Sequence, residues 1–162
     1  MGINVKEFVI DRVKERDLPQ LMVIENSVFV SPWSIFTFLE ELRHNRLAHY
    51  YCVRFQGQLV AYGGAWVVLD EIHITTIAIH PCYQGQGIGS LLLKKFFELA
   101  RELKAKEITL EVRETNMPAR HLYEKFGFKV MGARKNYYGD ESALIMTATL
   151  EVDNDERQDT RY

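Results

Sequence analysis

The stretch ITTIAIHPCYQGQGIGSLLLKKFFELA, residues 74–100, constrains the fold more than any other part of the chain. An apolar, β-branched run stops at Pro81, which has no backbone N–H to give a central sheet ladder. Gly85, Gly87 and Gly89 follow within five positions. Ile88, Leu91, Leu92, Phe96, Leu99 and Leu103 then recur at helical spacing, with Lys94, Lys95, Glu98, Arg101 and Glu102 on the other faces. Such a chain leaves a strand, turns on glycine and enters a long helix whose apolar stripe packs back on a sheet.

The flanking sequence supplies that sheet. Residues 48–55, 59–69 and 72–80 read as three strands, joined by QGQ and DE, both short enough for hairpin turns. Upstream, residues 8–13 alternate as a strand. Asp17 then stands as a cap, with Pro19 in the tolerant first turn of a helix carrying Leu18, Leu21, Met22 and Ile24. Ser34 opens a second helix with Phe36, Leu39 and Leu42, or the neighbouring Phe38, turned inward, and HNR at 44–46 ends it. Downstream come a strand EITLEVR, a short helix over about 118–126 stopped by Gly127, and strands FKVMGARKNYY and SALIMTATL. The order β-α-α-β-β-β-α-β-α-β-β describes an α+β fold of three layers, α/β/α, around a mixed, mostly antiparallel seven-stranded sheet. Residues 1–150 form one domain, and 151–162, EVDNDERQDTRY, lack an apolar stripe and read as a disordered acidic tail.

Charge and cysteine content narrow the function. Twenty Lys plus Arg against 22 Asp plus Glu give a net charge of -2, which argues against wholesale binding to nucleic acid or an acidic membrane. Cys52 and Cys82, thirty residues apart, make neither a metal-ligand pair nor a secreted disulfide framework, so no metal is expected. The opening MGINVKEFVIDRV does not read as a signal peptide and no apolar run approaches a membrane span, so a cytoplasmic protein, monomeric or weakly dimeric, is the expectation.

Three readings compete for the glycines: a tight strand-to-helix connection, a triphosphate or dinucleotide loop, and a cradle for another phosphate ligand. A helix start exposes unpaired N–H groups and the positive end of the dipole, and missing side chains let an anion reach the backbone. The triphosphate loop needs Lys then Ser or Thr after its last glycine, whereas Gly89 is followed by Ser90 and Leu91. The dinucleotide pattern fails too, with Ser90 or Leu92 in its last glycine slot. What does fit is Q/R-x-x-G-x-G/A, filled by Gln84, Gly87 and Gly89 after a strand and opening a helix. With these residues the chain resembles the GNAT superfamily of acyl-CoA N-acetyltransferases, a likeness running from about residue 8 to 150. The resemblance implies acetyl-CoA as cosubstrate. Ile77, Ala78 and Ile79 would border pantetheine, and the backbone of Gln84, Gly85, Gln86, Gly87, Ile88, Gly89 and Ser90 would hold the pyrophosphate. Basic residues frequent inside the family hexad are replaced here by Gly85 and Gln86.

Acetyl transfer needs a group to take the amine's proton and one to protonate the departing thiolate. In EITLEVR, Ile108, Leu110 and Val112 share one face, which puts Thr109, Glu111 and Arg113 on the other. From pattern alone Glu111 is either a catalytic carboxylate, or a wet or salt-bridged strand residue. Tyr123 is either a packed tyrosine beside Leu122 and Phe126 or an acid, and Asn116 either shapes a turn or binds a ligand. LEVRETNMPARHLYEKFGF is similar to the bacterial ribosomal-protein-alanine N-acetyltransferase branch, the RimI type. That likeness implies Glu111 as general base, Tyr123 as general acid and Asn116 as a pantetheine contact. It also implies an acceptor that is the N-terminal alanine of a small-subunit ribosomal protein. An α-amine, with a pKa of about 7.7–8.0, is roughly a tenth unprotonated at neutral pH, far more than a lysine at about 10.4. The resemblance also implies that the loops NSVFVSPWS and RKNYYGDES flank the acceptor groove, which suggests Trp33, Tyr137 and Tyr138 as substrate contacts. His73 is a candidate auxiliary base and Cys82 a weaker candidate nucleophile without a motif-placed activator. Two alternatives stay open: an enzyme acting on a small amine or lysine, and a non-catalytic acyl-CoA sensor.

Overall fold

In the computed structural model the described residues are 4–139 and 141–151, with the side chain of Tyr138 outside the description. The tail expected over 151–162 therefore lies outside it from residue 152 on. The elements are β1 (Phe8–Arg12), α1 (Leu18–Val28), α2 (Ile35–His44), β2 (Ala48–Phe55), β3 (Gln58–Val68), β4 (Glu71–Ile79), α3 (Ile88–Glu102), β5 (Glu107–Arg113), α4 (Met117–Lys125), β6 (Lys129–Tyr138) and β7 (Glu141–Thr149). The sheet runs β1-β2-β3-β4-β5-β7-β6. All neighbours are antiparallel except the central pair, β4 and β5, which is parallel with α3 as its crossover. This is the mixed sheet that the sequence describes, with every expected element present.

Two cores, one on each face, hold the layers together. On one face Ile88, Leu92, Leu93 and Phe96 of α3 pack with Ile108, Leu110 and Val112 of β5 and Phe128. On the other, Leu18, Leu21 and Ile24 of α1 and Phe38 of α2 cover Tyr50, Cys52, Tyr62 and Ala78. Each side chain such as Leu92 or Ile108, removed wholly from water, contributes about 1.5–3 kcal/mol.

Local details depart from the sequence expectation where a tertiary partner intervenes. Asp17 does precede α1, but its carboxylate does not cap the helix. It accepts a two-pronged bond from Arg54 of β2, 2.9 Å on each oxygen, and another from the Lys14 amide. Ser34 does cap α2, accepting from the Thr37 amide. Phe36, expected inward, is 73% exposed, while Phe38 is buried. Leu103, at the end of the α3 stripe, is half exposed because the helix ends at Glu102. No helix among the described residues is long and apolar enough to cross a membrane.

Candidate active site

The site begins with a fault in the middle of the sheet. β4 and β5 pair only from Glu71–Ile74 against Glu107–Leu110. β4 continues along β3 to Ile79, and β5 continues along β7 to Arg113, so beyond Ile74 and Leu110 the two parallel strands part. The parting coincides with an irregularity on the other side of β4: Ala65 pairs with Ile74 and Gly64 with Thr76, leaving Thr75 as an extra residue. A bulge of this kind bends the strand and shifts its side-chain alternation by one. Ile72 and Ile74 lie in the α3-side core before it, and Ile77 and Ile79 pack against that same core after it. Glu111 is the first residue of β5 beyond the last pair.

On one side of the parting lies the glycine turn. Gly85 and Gly87 adopt left-handed backbone angles, φ +76° and +81°, which an L side chain rarely adopts. Gly87 is the N-cap of the fifteen-residue α3, and no side chain caps that end, so the first-turn amides get no side-chain acceptor from the cap. Gly89 serves packing: a Cβ there would stand 2.9 Å from Leu122 Cδ2 of α4. Ile88 is buried and Ala78 is in the opposite core, so these two have only backbone to offer. Gln84 Nε2 lies 3.4 Å from the Ile79 carbonyl, tying the turn to the end of β4. Asn116 is the N-cap of α4, its Oδ1 accepting from the Ala119 amide, which is the turn-shaping role weighed for it; its amide nitrogen is what it could offer a ligand.

On the other side, toward α1 and α2, opens a cleft of about 590 Å³. Trp33, His73, Glu111 and Tyr137 line it together, with Ile74, Thr75 and Thr76 from the bulged strand. Glu111 is 13% exposed in its side chain and is ion-paired at 3.2 Å to Arg134 of β6. The salt-bridged reading weighed for it thus holds, with Arg134 two strands away across β7, while Arg113 pairs with Glu141. Tyr137 bonds to the same carboxylate, whose charge, with some burial, pushes the phenol upward from its ordinary pKa. The Arg134 guanidinium also stands over the Tyr137 ring at 5.6 Å.

Tyr123 and Asn116 are not among the lining residues of this cleft. Tyr123 sits on α4, partly buried, its ring 5.8 Å from Phe128. The two catalytic candidates therefore occupy successive elements, β5 and α4. Cys82 is exposed in the short turn after β4, its amide bonded to His80 Nδ1, and it too is absent from the cleft lining.

Sequence reading missed Glu25, Phe38 as a wall and Trp66, and it placed Phe29, Ser31 and Arg134 in the two flanking loops without singling them out. Glu25 matters most. It is 4% exposed, accepts from the Trp33 amide at 2.9 Å and from the Tyr62 hydroxyl, and burial pushes its pKa up against the partial opposition of the Trp33 bond. Its signal was available: Leu18, Leu21, Glu25 and Val28 fall on one helical stripe, so a carboxylate stood on an apolar face. Trp66 is fixed by its indole N–H on Glu41, which also accepts from the Tyr50 hydroxyl.

The comparisons with known proteins agree with this geometry. The sequence profile described as "Acetyltransferase (GNAT) family" matches residues 18–128. The chain belongs to the GNAT acetyltransferase family. A Bacillus subtilis (strain 168) relative, whose name carries the bS18-alanine N-acetyltransferase designation provisionally, is 46% identical over 136 residues, covering 83% of this chain and 90% of that one. The "[Ribosomal protein bS18]-alanine N-acetyltransferase" of Haemophilus influenzae is 37% identical, covering 88% of this chain and 99% of its own. The crystal structure of the ribosomal-protein-S18-alanine N-acetyltransferase from Escherichia coli superposes with a TM-score of 0.81 at 31% identity, over 91% of this chain and 97% of that one.

Proposed function

We propose that this chain transfers the acetyl group of acetyl-CoA to the α-amine of a protein N-terminus, the N-terminal alanine of ribosomal protein bS18 being the acceptor that its named relatives suggest. The observation that carries the reading is the place of Glu111: a paired carboxylate at the point where β4 and β5 separate, facing a cleft wide enough for a peptide end. Acetyl-CoA would lie along the parted edge of β4, its pyrophosphate on the backbone of residues 85–90 and its pantetheine beside residues 77–79 and Asn116. The uncapped glycine start of α3 fits such a ligand.

In this reading the acceptor's amine enters from the cleft between Trp33 and Tyr137. Glu111 takes a proton from the incoming ammonium, directly or through a water. The amine nitrogen then bonds to the thioester carbonyl carbon, the C–S bond breaks as Tyr123 donates its phenolic proton to the departing sulfur, and the acylated nitrogen gives up its second proton to water to become the neutral amide. Each group is restored by proton exchange with solvent, and the products are an acetylated N-terminus and CoA thiol. His73 lines the same cleft and in this reading would relay a proton through water. An α-amine suits this equipment better than a lysine, because about a tenth of it is already unprotonated near neutral pH.

The test is to incubate the protein with acetyl-CoA and peptides beginning with free Ala, Ser, Met or Gly, each carrying an internal lysine, and to map the acetyl by mass spectrometry. Acetyl on the α-amine of the Ala peptide is expected. Modification of the lysine instead, or none despite acetyl-CoA binding, overturns the reading.

A further inference from the structure

Glu141, the first residue of β7, lies at the meeting of two parts that the proposed function assigns to different substrates. Its Oε1 accepts from both the amide, at 3.1 Å, and the hydroxyl of Thr115, and its Oε2 accepts from Arg113 Nη1 at 3.1 Å. Those donors hold its carboxyl below the ordinary range, the Thr115 hydroxyl foremost. The backbone ladder between β5 and β7 ends at Arg113–Ala143, with one further bond from the Glu114 amide to the Ser142 carbonyl. Glu141 carries the connection past the ladder's end onto Thr115, the residue before Asn116. The turn it grips is itself tight: the Asn116 amide bonds to the Arg113 carbonyl, and Arg120 of α4 reaches back to the Glu114 carbonyl at 2.8 Å.

The other end of the connection is the acceptor side. Glu141 pairs with Tyr138 across the β6–β7 hairpin, and the register of that hairpin is irregular between Arg134 and Tyr138, where Asn136 has a left-handed φ of +56°. This irregular segment carries Arg134 and Tyr137, the two residues that contact Glu111 in the cleft. One carboxylate thus joins the turn before Asn116 to the hairpin that shapes the acceptor wall.

We propose that Glu141 is a positioning residue that couples the two substrate sites, so that occupancy of the acetyl-CoA site strengthens binding of the acceptor peptide through the 113–116 turn and the β6–β7 hairpin. The inference rests on the reading that acetyl-CoA meets this turn at Asn116. By linkage, the same factor must appear as strengthened CoA binding when peptide is bound. A purely structural Glu141 would change stability and leave that factor alone.

The chain carries its own reporter, since both of its tryptophans, Trp33 and Trp66, line the acceptor cleft. The experiment titrates an Ala-initiated peptide by tryptophan fluorescence with and without saturating CoA, which cannot transfer an acetyl group, and takes the ratio of the two Kd values within each protein. A ratio of roughly fivefold or more is expected for the natural chain, falling to within twofold of one in Glu141→Ala. Glu141→Gln, which keeps an acceptor for Thr115 and loses the charge toward Arg113, should restore part of it. Should the Ala variant fail to fold, Thr115→Val, which removes one donor, is expected to lower the ratio as well. An equal ratio in natural chain and variants, or none in the natural chain while it turns over the peptide, overturns the coupling alone. Failure of the natural chain to bind CoA or to acetylate the Ala peptide overturns the underlying reading, and the coupling with it.

Discussion

The glycine turn and the acceptor cleft are built on opposite principles. The turn is contiguous: the seven residues proposed to hold the pyrophosphate, 84–90, follow one another, and what they need from sequence is the absence of side chains at the left-handed Gly85 and Gly87. The cleft is dispersed: Glu25 comes from α1, Trp33 from the following loop, Trp66 from β3, His73 from β4, Glu111 from β5, and Arg134 and Tyr137 from β6. A backbone site is damaged by adding a methyl group, a side-chain site by removing one charge. Changes in the cleft should therefore act on turnover and the peptide, and changes in the turn on acetyl-CoA.

The largest effect expected from that contrast is at Glu111. Glu111→Gln keeps the shape and an acceptor for Tyr137 and Arg134 but cannot take a proton, so kcat should fall by about 10²–10⁴-fold with acetyl-CoA affinity within about twofold. Unchanged turnover would remove Glu111 from the chemistry. Next is Tyr123→Phe. The ring packing on Phe128 survives and the phenolic proton is lost, so a fall in kcat of roughly 10–10²-fold with little change in acetyl-CoA affinity is expected. A variant that instead weakens acetyl-CoA binding and spares kcat would make Tyr123 a contact residue and not an acid.

The turn should give the reverse pattern. Gly87→Ala forces an L side chain into a left-handed conformation, at a cost of about 1–2 kcal/mol in open space with no clash to relieve. The expected result is a rise of about tenfold in the KM for acetyl-CoA, with the peptide KM nearly unchanged. Comparable damage to both KM values would break the division between the two regions.

The same contrast explains what was legible in the sequence. The seven strands and four helices were, because period-two and period-3.6 patterns, Gly127 and the Ser34 cap are local signals. The glycine turn was for the same reason. Asp17 misled because a long-range partner, Arg54, outcompeted the helix amides for its carboxylate. Arg134 was passed over because its partner Glu111 stands in another strand with β7 between them. The parting of β4 from β5 had no sequence signature either, since a bulge at Thr75 looks like any other β-branched residue in a strand. Glu25 is the exception among the missed cleft residues, because its place on the apolar stripe of α1 was readable.

Glu25 also yields the smallest and most discriminating measurement. Burial raises its pKa in the folded chain, and the Trp33 amide offsets only part of that. For an acid raised on folding, the unfolded state holds fewer protons from the unfolded value, about 4.3, up through the folded one. Stability contributed by this group therefore falls as pH rises across that window and stays lower above it. Glu25→Gln removes the titration and keeps one acceptor for the Trp33 and Tyr62 donors. Whatever constant offset that loss imposes, the difference in Tm between variant and natural chain should move in the variant's favour as pH climbs from about 4 to 7. Other carboxylates titrate in both proteins and cancel in the difference. A Tm difference independent of pH would mean that Glu25 meets water in the cleft as freely folded as unfolded, and the acceptor wall would then be a solvated surface in which Glu25 is one more polar group. A pH-dependent difference makes that wall a buried carboxyl held by the Trp33 amide and the Tyr62 hydroxyl, beside the entry proposed for the peptide end.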